Sequence, residues 1–349
     1  MTEFNQLTPK IVKGSKSFIR LREADIQIGV TPKEEIYRED KVVLYRYTPE
    51  AEPALNIPLL IVYALVNRPG IVDLQENRSL VANLLRLGLD VYLIDWGYPS
   101  RGDRWITLDD HINGYLHNCI EALCDRLDVE QINLLGICQG GTFSLCYSAL
   151  HPNKVKTLIT MVTPVDFHVQ EGLLNLWGGC TTKAVDVDLM VDTLGNIPGE
   201  YLNSEFVMLK PFQLGIEKYA DLWAIAEQED KLLNFLRMEK WIFDSPDQPG
   251  ETYRQFIKDF YQDNKLIHGA IAIGGQPVDL QSVTIPILNI YAEQDHLVPP
   301  ASSLALEQYI GSEDYTVRSF PVGHIGMYVS SKVQRDLPPT IVDWLKARV

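Results

Sequence analysis

Short apolar runs alternating with helix-patterned segments constrain this chain more than any other feature. Pro58–Leu65, Val91–Ile94, Ile132–Leu135 and Val155–Val162 are almost continuous in apolar residues. They are too short for buried helices and lack the alternation of a half-exposed strand, so each reads as a strand covered on both faces. Between them, Leu80–Leu87, Leu108–Arg126 and Gly140–Leu150 place apolar residues at helical spacing, and Gly88 is a suitable stop. This alternation predicts an α/β architecture, a mainly parallel sheet with helices on both faces. Ahead of it, Lys41–Tyr47 alternates as a strand does. Residues 1–40, charged and weakly periodic, read as an N-terminal arm or an edge hairpin.

The rhythm stops after Asp166. Residues 172–282 are helix-like and turn-rich, with Trp177, Trp223, Phe235, Trp241 and Phe243. The α/β pattern resumes with a strand at Ile285–Tyr291, a helix at Ser302–Ile310, a strand at Tyr315–Phe320 and a helix at Asp336–Ala347. The expectation is one α/β core, residues 41–171 and 283–349, carrying a mainly helical cap insertion at 172–282. With 349 residues, 46% of them hydrophobic, such a chain buries a large core without help from a disulfide or a metal. Its five cysteines are irregularly spaced, with no paired CxxC set and no apolar leader in Met1–Gly14, so reduced thiols in a cytoplasmic protein are expected, and no metal site. A formal charge of −15 argues against general nucleic-acid binding, which needs a basic surface.

Gly136-Ile137-Cys138-Gln139-Gly140-Gly141 lies where an apolar strand gives way to a helix. This is the nucleophile-elbow pattern of the α/β-hydrolase fold, with cysteine in the place more often held by serine. The flanking glycines are a steric requirement of the tight turn, and a helix N-terminus beneath the sulfur favours an anion there. A thiolate nucleophile needs a base, and the base an orienting acid. In this fold the order along the chain is nucleophile, acid, histidine. His324, in Pro321-Val322-Gly323-His324-Ile325-Gly326 just past the last strand, is the expected base. Asp295, past the preceding strand and beside His296, is the expected acid, with Glu293 and Asp279 as its rivals. The oxyanion hole is expected from the backbone N–H of Gln139 and that of Val66 in the loop after the early strand. Cys119, Cys124, Cys146 and Cys180 read as core thiols, and Asp109-Asp110-His111 as a helix-start charge pair beside a histidine rather than a ligand set, because adjacent helical residues point apart.

Beyond the elbow, the stretches LLIVYALVNRP, DLQENRSL, GLDVYLIDWGYP, LLGICQGGT, MVTPVDF, MEKWIFDSPDQPGE, AEQDHLVPP and PVGHIGMYVS span the chain from Ile57 onward. On these the sequence resembles the polyhydroxyalkanoate synthases, and its length and Gln139 resemble the catalytic subunit of the two-subunit class III type. The resemblance implies an acyltransferase that polymerises (R)-3-hydroxyacyl-CoA, chiefly 3-hydroxybutyryl-CoA, into polyester with release of CoA. It implies that Cys138 carries the acyl group as a thioester, His324 activates it and Asp295 is the acid partner. It further implies a non-catalytic second subunit, homo- and hetero-oligomers, a place at the cytoplasmic polyester granule, and no cofactor beyond the CoA of the substrate. The alternative on the same residues is a cysteine hydrolase of esters, lactones or thioesters, in which water rather than a hydroxyacyl group attacks the thioester.

Overall fold

Leu59-Leu60-Ile61-Val62 is buried along its whole length, which a strand achieves only inside a sheet covered on both sides. The computed structural model, which describes residues 25–49, 53–55, 57–180, 185–209, 225 and 228–348, places it at the centre of such a sheet. The main sheet is built from β1 (Lys33–Glu39), β2 (Val42–Tyr47), β3 (Leu59–Val62), β4 (Val91–Asp95), β5 (Ile132–Ile137), β6 (Val155–Met161), β7 (Ile287–Ala292) and β8 (Tyr315–Phe320). Their spatial order is β1-β2-β4-β3-β5-β6-β7-β8. β1, β2 and β4 pair antiparallel, and every pairing from β4 to β8 is parallel.

Period-two alternation sends successive residues of β3 into different cores. Leu60 and Val62 join the aliphatic and aromatic cluster beneath α2 (His117–Leu127) and α3 (Gln139–Leu150). Leu59 and Ile61 join the cluster beneath α1 (Leu80–Arg86) and α11 (Ser331–Lys346).

Several expected elements shift for identifiable reasons. Residues 33–39 follow the edge-hairpin reading rather than that of an arm, forming the edge strand β1 paired to β2 from Lys33↔Tyr47 to Glu39↔Val42. The helix expected at Leu108–Arg126 begins as wider turns over Asp110–Leu116 before α2. The final helix begins at Ser331 rather than Asp336 and runs through Pro338 and Pro339. Prolines read as a helix start, but the face carrying Val333, Leu337, Ile341 and Leu345 is buried on the sheet and keeps the helix continuous. The expected Ser302–Ile310 helix is broken at Ala305 into α8 (Pro300–Leu304) and α9 (Leu306–Tyr309).

Between β6 and β7 the chain leaves the sheet. Here lie α4 (Val187–Leu194), α5 (Gly199–Leu209), α6 (Glu229–Phe243) and α7 (Gly250–Gln255), the last continuing in wider turns to Gln262. Val187, Val191, Ile197, Leu202 and Tyr253 form a small core of their own, and Arg254 ties α7 to Asp188 and Asp192 of α4. Phe256 and Phe260 instead stack on one another in the main core, where Phe256 meets Phe143 and Phe167 edge-on and Phe260 meets Phe167 edge-on. The stretch from Phe256 to Val283 therefore packs with the α/β core, α4 and α5 contribute to the small core outside it, and Trp241 of α6 joins the cluster beneath α1 and α11. Trp223 lies outside the described residues.

Candidate active site

β5 ends at Ile137, and Cys138 turns the chain with φ +54° and ψ −126° before α3 begins at Gln139. A side chain at positive φ costs about 1–3 kcal/mol and persists only where its surroundings over-determine it. Here the Cys138 N–H donates to Met161 O at 2.9 Å, and the Cys138 carbonyl accepts from Gly141 N–H at 2.9 Å. The neighbouring Val162, at the end of β6, is also held at φ +45°, its N–H donating to Ile290 O at 2.8 Å. The glycines are required by close approach. A Cβ on Gly140 would lie 2.2 Å from the Val62 carbonyl oxygen, and one on Gly136 would lie 2.5 Å from the Cα of Gly141.

Past β7 and β8 the chain delivers the other two groups to the same end of the sheet. His324 Nδ1 donates to Asp295 Oδ2 at 2.7 Å, and the second carboxylate oxygen, Oδ1, accepts the N–H groups of Leu297 and Val298, each at 2.9 Å. Both residues are buried. Burial by itself would lower the His324 pKa. The Asp295 charge, the Asp295 hydrogen bond and a side-chain hydrogen bond to Cys138 outweigh it and raise the pKa to about 10. Cys138 therefore lies within interaction range of the hydrogen-bonded His324–Asp295 pair. Of the rivals for the acid, Glu293 accepts from Ser319 Oγ at the surface, and Asp279 accepts from Gln281 N–H.

Gln139 is the first residue of α3, so its N–H has no partner within the helix. Its side chain plays a part that residue spacing did not suggest. The buried amide oxygen accepts the Leu65 N–H at 3.0 Å, which fastens the loop after β3 to the elbow. Val66 follows directly and packs in the same half-buried margin as Cys138. The loop is also held from the insertion. Trp241 Nε1 donates to Arg68 O at 2.7 Å, and Asn67, at φ +58°, donates from Nδ2 to Ile242 O at 3.2 Å. Arg68 pairs with Asp95 at 2.5 Å and lies over the Tyr98 ring. Tyr63 and Tyr328, both buried beside this group, were likewise not singled out from the sequence. Nothing in an apolar strand end or in a spacing of four from His324 marks either one as special.

Burial pushes Cys119 and Cys146 each up to about 12. The Asp109-Asp110-His111 run divides among separate partners. Asp109 accepts from Asn113, Asp110 from Thr107, and His111 Nδ1 meets Thr107 O at 3.0 Å, with burial lowering its pKa to about 4. Among the described residues no group of His, Cys, Asp and Glu is disposed to hold a metal ion, and no helix is long and apolar enough to cross a membrane.

A cysteine on a strained elbow, a buried histidine–carboxylate pair and two candidate backbone donors make an arrangement suited to nucleophilic acyl transfer. Comparison with known proteins bears on the fold and on the family. Residues 57–331 match the alpha/beta hydrolase fold family. The chain is 67% identical over 344 residues to the poly(3-hydroxyalkanoate) polymerase subunit PhaC of a Synechocystis strain, covering 98% of this chain and 91% of that one. It is 58% identical to the protein of the same name from Allochromatium vinosum, covering 93% and 90%. Among solved structures, a hydrolase from Pseudomonas aeruginosa superposes with a TM-score of 0.55 at 14% identity, covering 91% of this chain and 99% of that one, a likeness of fold.

Proposed function

This chain belongs to the poly(3-hydroxyalkanoate) polymerases, acyltransferases that build a hydroxyalkanoate polyester, and from that premise we propose that Cys138 carries the acyl group through the cycle. The observation that carries the reading is the hydrogen-bonded Asp295–His324 pair acting on a cysteine held at positive φ. In the first half-reaction the Cys138 sulfur attacks the carbonyl carbon of (R)-3-hydroxybutyryl-CoA or a similar short (R)-3-hydroxyacyl-CoA. The thiol proton passes to His324 Nε2 before the attack, because His324, its other nitrogen held by Asp295, keeps a proton up to about pH 10. The tetrahedral oxyanion is stabilised by the N–H groups of Gln139 and Val66. The carbon–sulfur bond to CoA breaks, and the CoA thiolate leaves with the proton from His324.

In the second half-reaction the 3-hydroxyl of another unit attacks the Cys138 thioester. Its proton passes by way of His324 to the departing Cys138 sulfur as the ester forms, which regenerates the cysteine. A thioester suits this sequence because it exchanges with the CoA thioester and stays activated toward an alcohol. Polymerisation further needs that alcohol to win over water. The helices α4 to α6, latched to the loop after β3 by Trp241 and Asn67, support exclusion of water from the site. The cycle calls for no cofactor, since CoA arrives as part of the substrate.

Trp105, Leu189, Met208 and Phe243 are large apolar side chains exposed by more than half. The reading includes a place at the polyester granule in the cytoplasm, a non-catalytic second subunit and self-association, and these four side chains are the ones to substitute in testing those contacts. The test supplies 3-hydroxybutyryl-CoA, with and without that subunit, and weighs the released product. Polymer with CoA release, an acyl adduct on Cys138, and no adduct in Cys138→Ala are expected. Monomeric 3-hydroxybutyrate alone would make the enzyme a thioesterase and overturn the polymerase cycle.

A further inference from the structure

Tyr328 is a buried side chain whose polar atom has no evident use in the fold. It lies in α10 (Gly326–Val329), one turn beyond His324, and is 1% exposed. Its backbone is engaged, its carbonyl accepting from Gln334 Nε2 at 2.5 Å. Its ring packs edge-on to Tyr63 with centroids 6.3 Å apart, and tilted to His324 at 6.2 Å. Tyr63 follows β3 directly, ahead of the loop position that carries Val66. The Tyr63 hydroxyl is near enough to act on Tyr328 electrostatically, yet the pair makes no well-formed hydrogen bond, and the Tyr328 oxygen is left buried and unsatisfied.

Buried hydroxyls nearly always find a partner, and one that does not calls for an explanation. Folding offers none here, because phenylalanine would fill the same space without the unmet hydroxyl. Position does offer one. The Tyr328 ring lies beside His324, and its hydroxyl feels the charges of both Cys138 and Asp295, which puts it next to the group that carries the acyl chain. Burial pushes its pKa well above the ordinary phenol value, so it keeps its proton and stays a hydrogen-bond donor.

Resting on the acyl-thioester reading above, we propose that the Tyr328 hydroxyl is a specificity-determining donor that receives the 3-oxygen of the acyl group on Cys138. The carbonyl oxygen of that group is taken by the backbone donors of Gln139 and Val66, which leaves the 3-oxygen as the acceptor in need of a partner. A site that hydrogen-bonds a substrate hydroxyl discriminates strongly against the analogue lacking it, because its own buried polar group is then left unpaired. Tyr328 thereby selects hydroxyacyl over plain acyl thioesters at the first step, before any chain exists.

The test compares single-turnover CoA release from 3-hydroxybutyryl-CoA and butyryl-CoA, with mass spectrometry of the Cys138 adduct. The proteins are the full-length wild type and Tyr328→Phe, each with its melting temperature. The wild type should favour the hydroxyacyl substrate at least tenfold. In Tyr328→Phe the hydroxyacyl rate should fall about 10- to 100-fold, the butyryl rate should change less than threefold, and the melting temperature should hold or rise. Equal losses on both substrates would assign the hydroxyl to Cys138 or His324 instead and overturn the inference, as would no loss on either. Equal wild-type rates for the two substrates overturn it without reference to the variant. A wild type that forms no adduct at Cys138 overturns the acyl-thioester reading itself, and this inference with it, and is distinguished by the absence of the adduct.

Discussion

Asp295→Asn exchanges one carboxylate oxygen for an amide nitrogen and leaves the shape of the side chain unchanged. The structure dictates which way the amide must face. Two N–H donors, from Leu297 and Val298, point at Oδ1, so the amide oxygen stays there and the NH2 turns to His324 Nδ1. A donor now meets Nδ1, which must give up its proton and accept. The neutral imidazole is then protonated at Nε2, the nitrogen that has to take the Cys138 proton. In a serine triad this wrong tautomer costs about 10⁴-fold in kcat. A thiol ionises far more readily than an alcohol, so part of that loss is spared, and about 10³-fold, about 4 kcal/mol of barrier, is expected here. The assay is single-turnover CoA release from 3-hydroxybutyryl-CoA between pH 6 and 10. The deficit should shrink toward alkaline pH, where a thiol loses its proton without a base. A larger deficit in steady-state polymerisation than in the single turnover would add a duty for Asp295 at the 3-hydroxyl. The same variant has a signature in stability. His324 is raised to about 10 in the folded protein, against about 6.5 unfolded. Its contribution is therefore complete below about pH 6.5 and is lost as pH climbs through about 10. The wild-type melting temperature should fall more steeply over that window than that of Asp295→Asn. A kinetic loss below tenfold, or one that does not change with pH, would refute the tautomer reasoning.

Cys138→Ala should fold and form no acyl adduct, while Cys138→Ser should retain little activity, since an alcohol is harder to ionise and makes a less activated ester; intact mass and CoA release read both. Gly140→Ala places a methyl 2.2 Å from the backbone oxygen of Val62, which no rotamer change relieves, so soluble yield and CoA release should both collapse; a normal melt and full rate would show that the elbow has slack. Trp241→Phe removes the donor to Arg68 O, and urea unfolding should report a loss of about 0.5–1.5 kcal/mol. If the α6 latch also holds the loop that carries Val66, single-turnover acylation in Trp241→Phe should slow by several-fold, and an unchanged rate would detach the latch from the site.

Element types and the residues at the strand ends were legible because they follow from local rules. Continuous apolar runs become buried strands, and the β8 bounds expected at Tyr315–Phe320 are those observed. The elbow was legible because its glycines answer a steric demand that any sequence must meet in the same way. Cys138, Asp295 and His324 were assigned from chain order, and their meeting at one end of the sheet follows from the parallel pairing of β5 through β8. Local rules failed where packing overrode them. Prolines at 338 and 339 did not start a helix, because a buried face extended across them. Phe256 and Phe260 belong with the main core although the chain around them reads as insertion, because their edge-on contacts with Phe143 and Phe167 depend on where the turns after α7 land.

The amino-acid sequence by itself therefore determined the α/β class, the elbow and the three groups assigned to acyl transfer. These depend on periodicity, on glycine sterics and on the order of strand ends, all of which are written along the chain. Tertiary structure alone decided that Gln139 fastens the loop after β3, that Trp241 holds that loop from the insertion, and that Tyr328 keeps an unsatisfied hydroxyl beside Cys138 and Asp295. Each of those facts joins residues far apart in the chain. Whether a polar atom is partnered, and by what, is fixed by the neighbours that folding brings to it, and no local pattern records it.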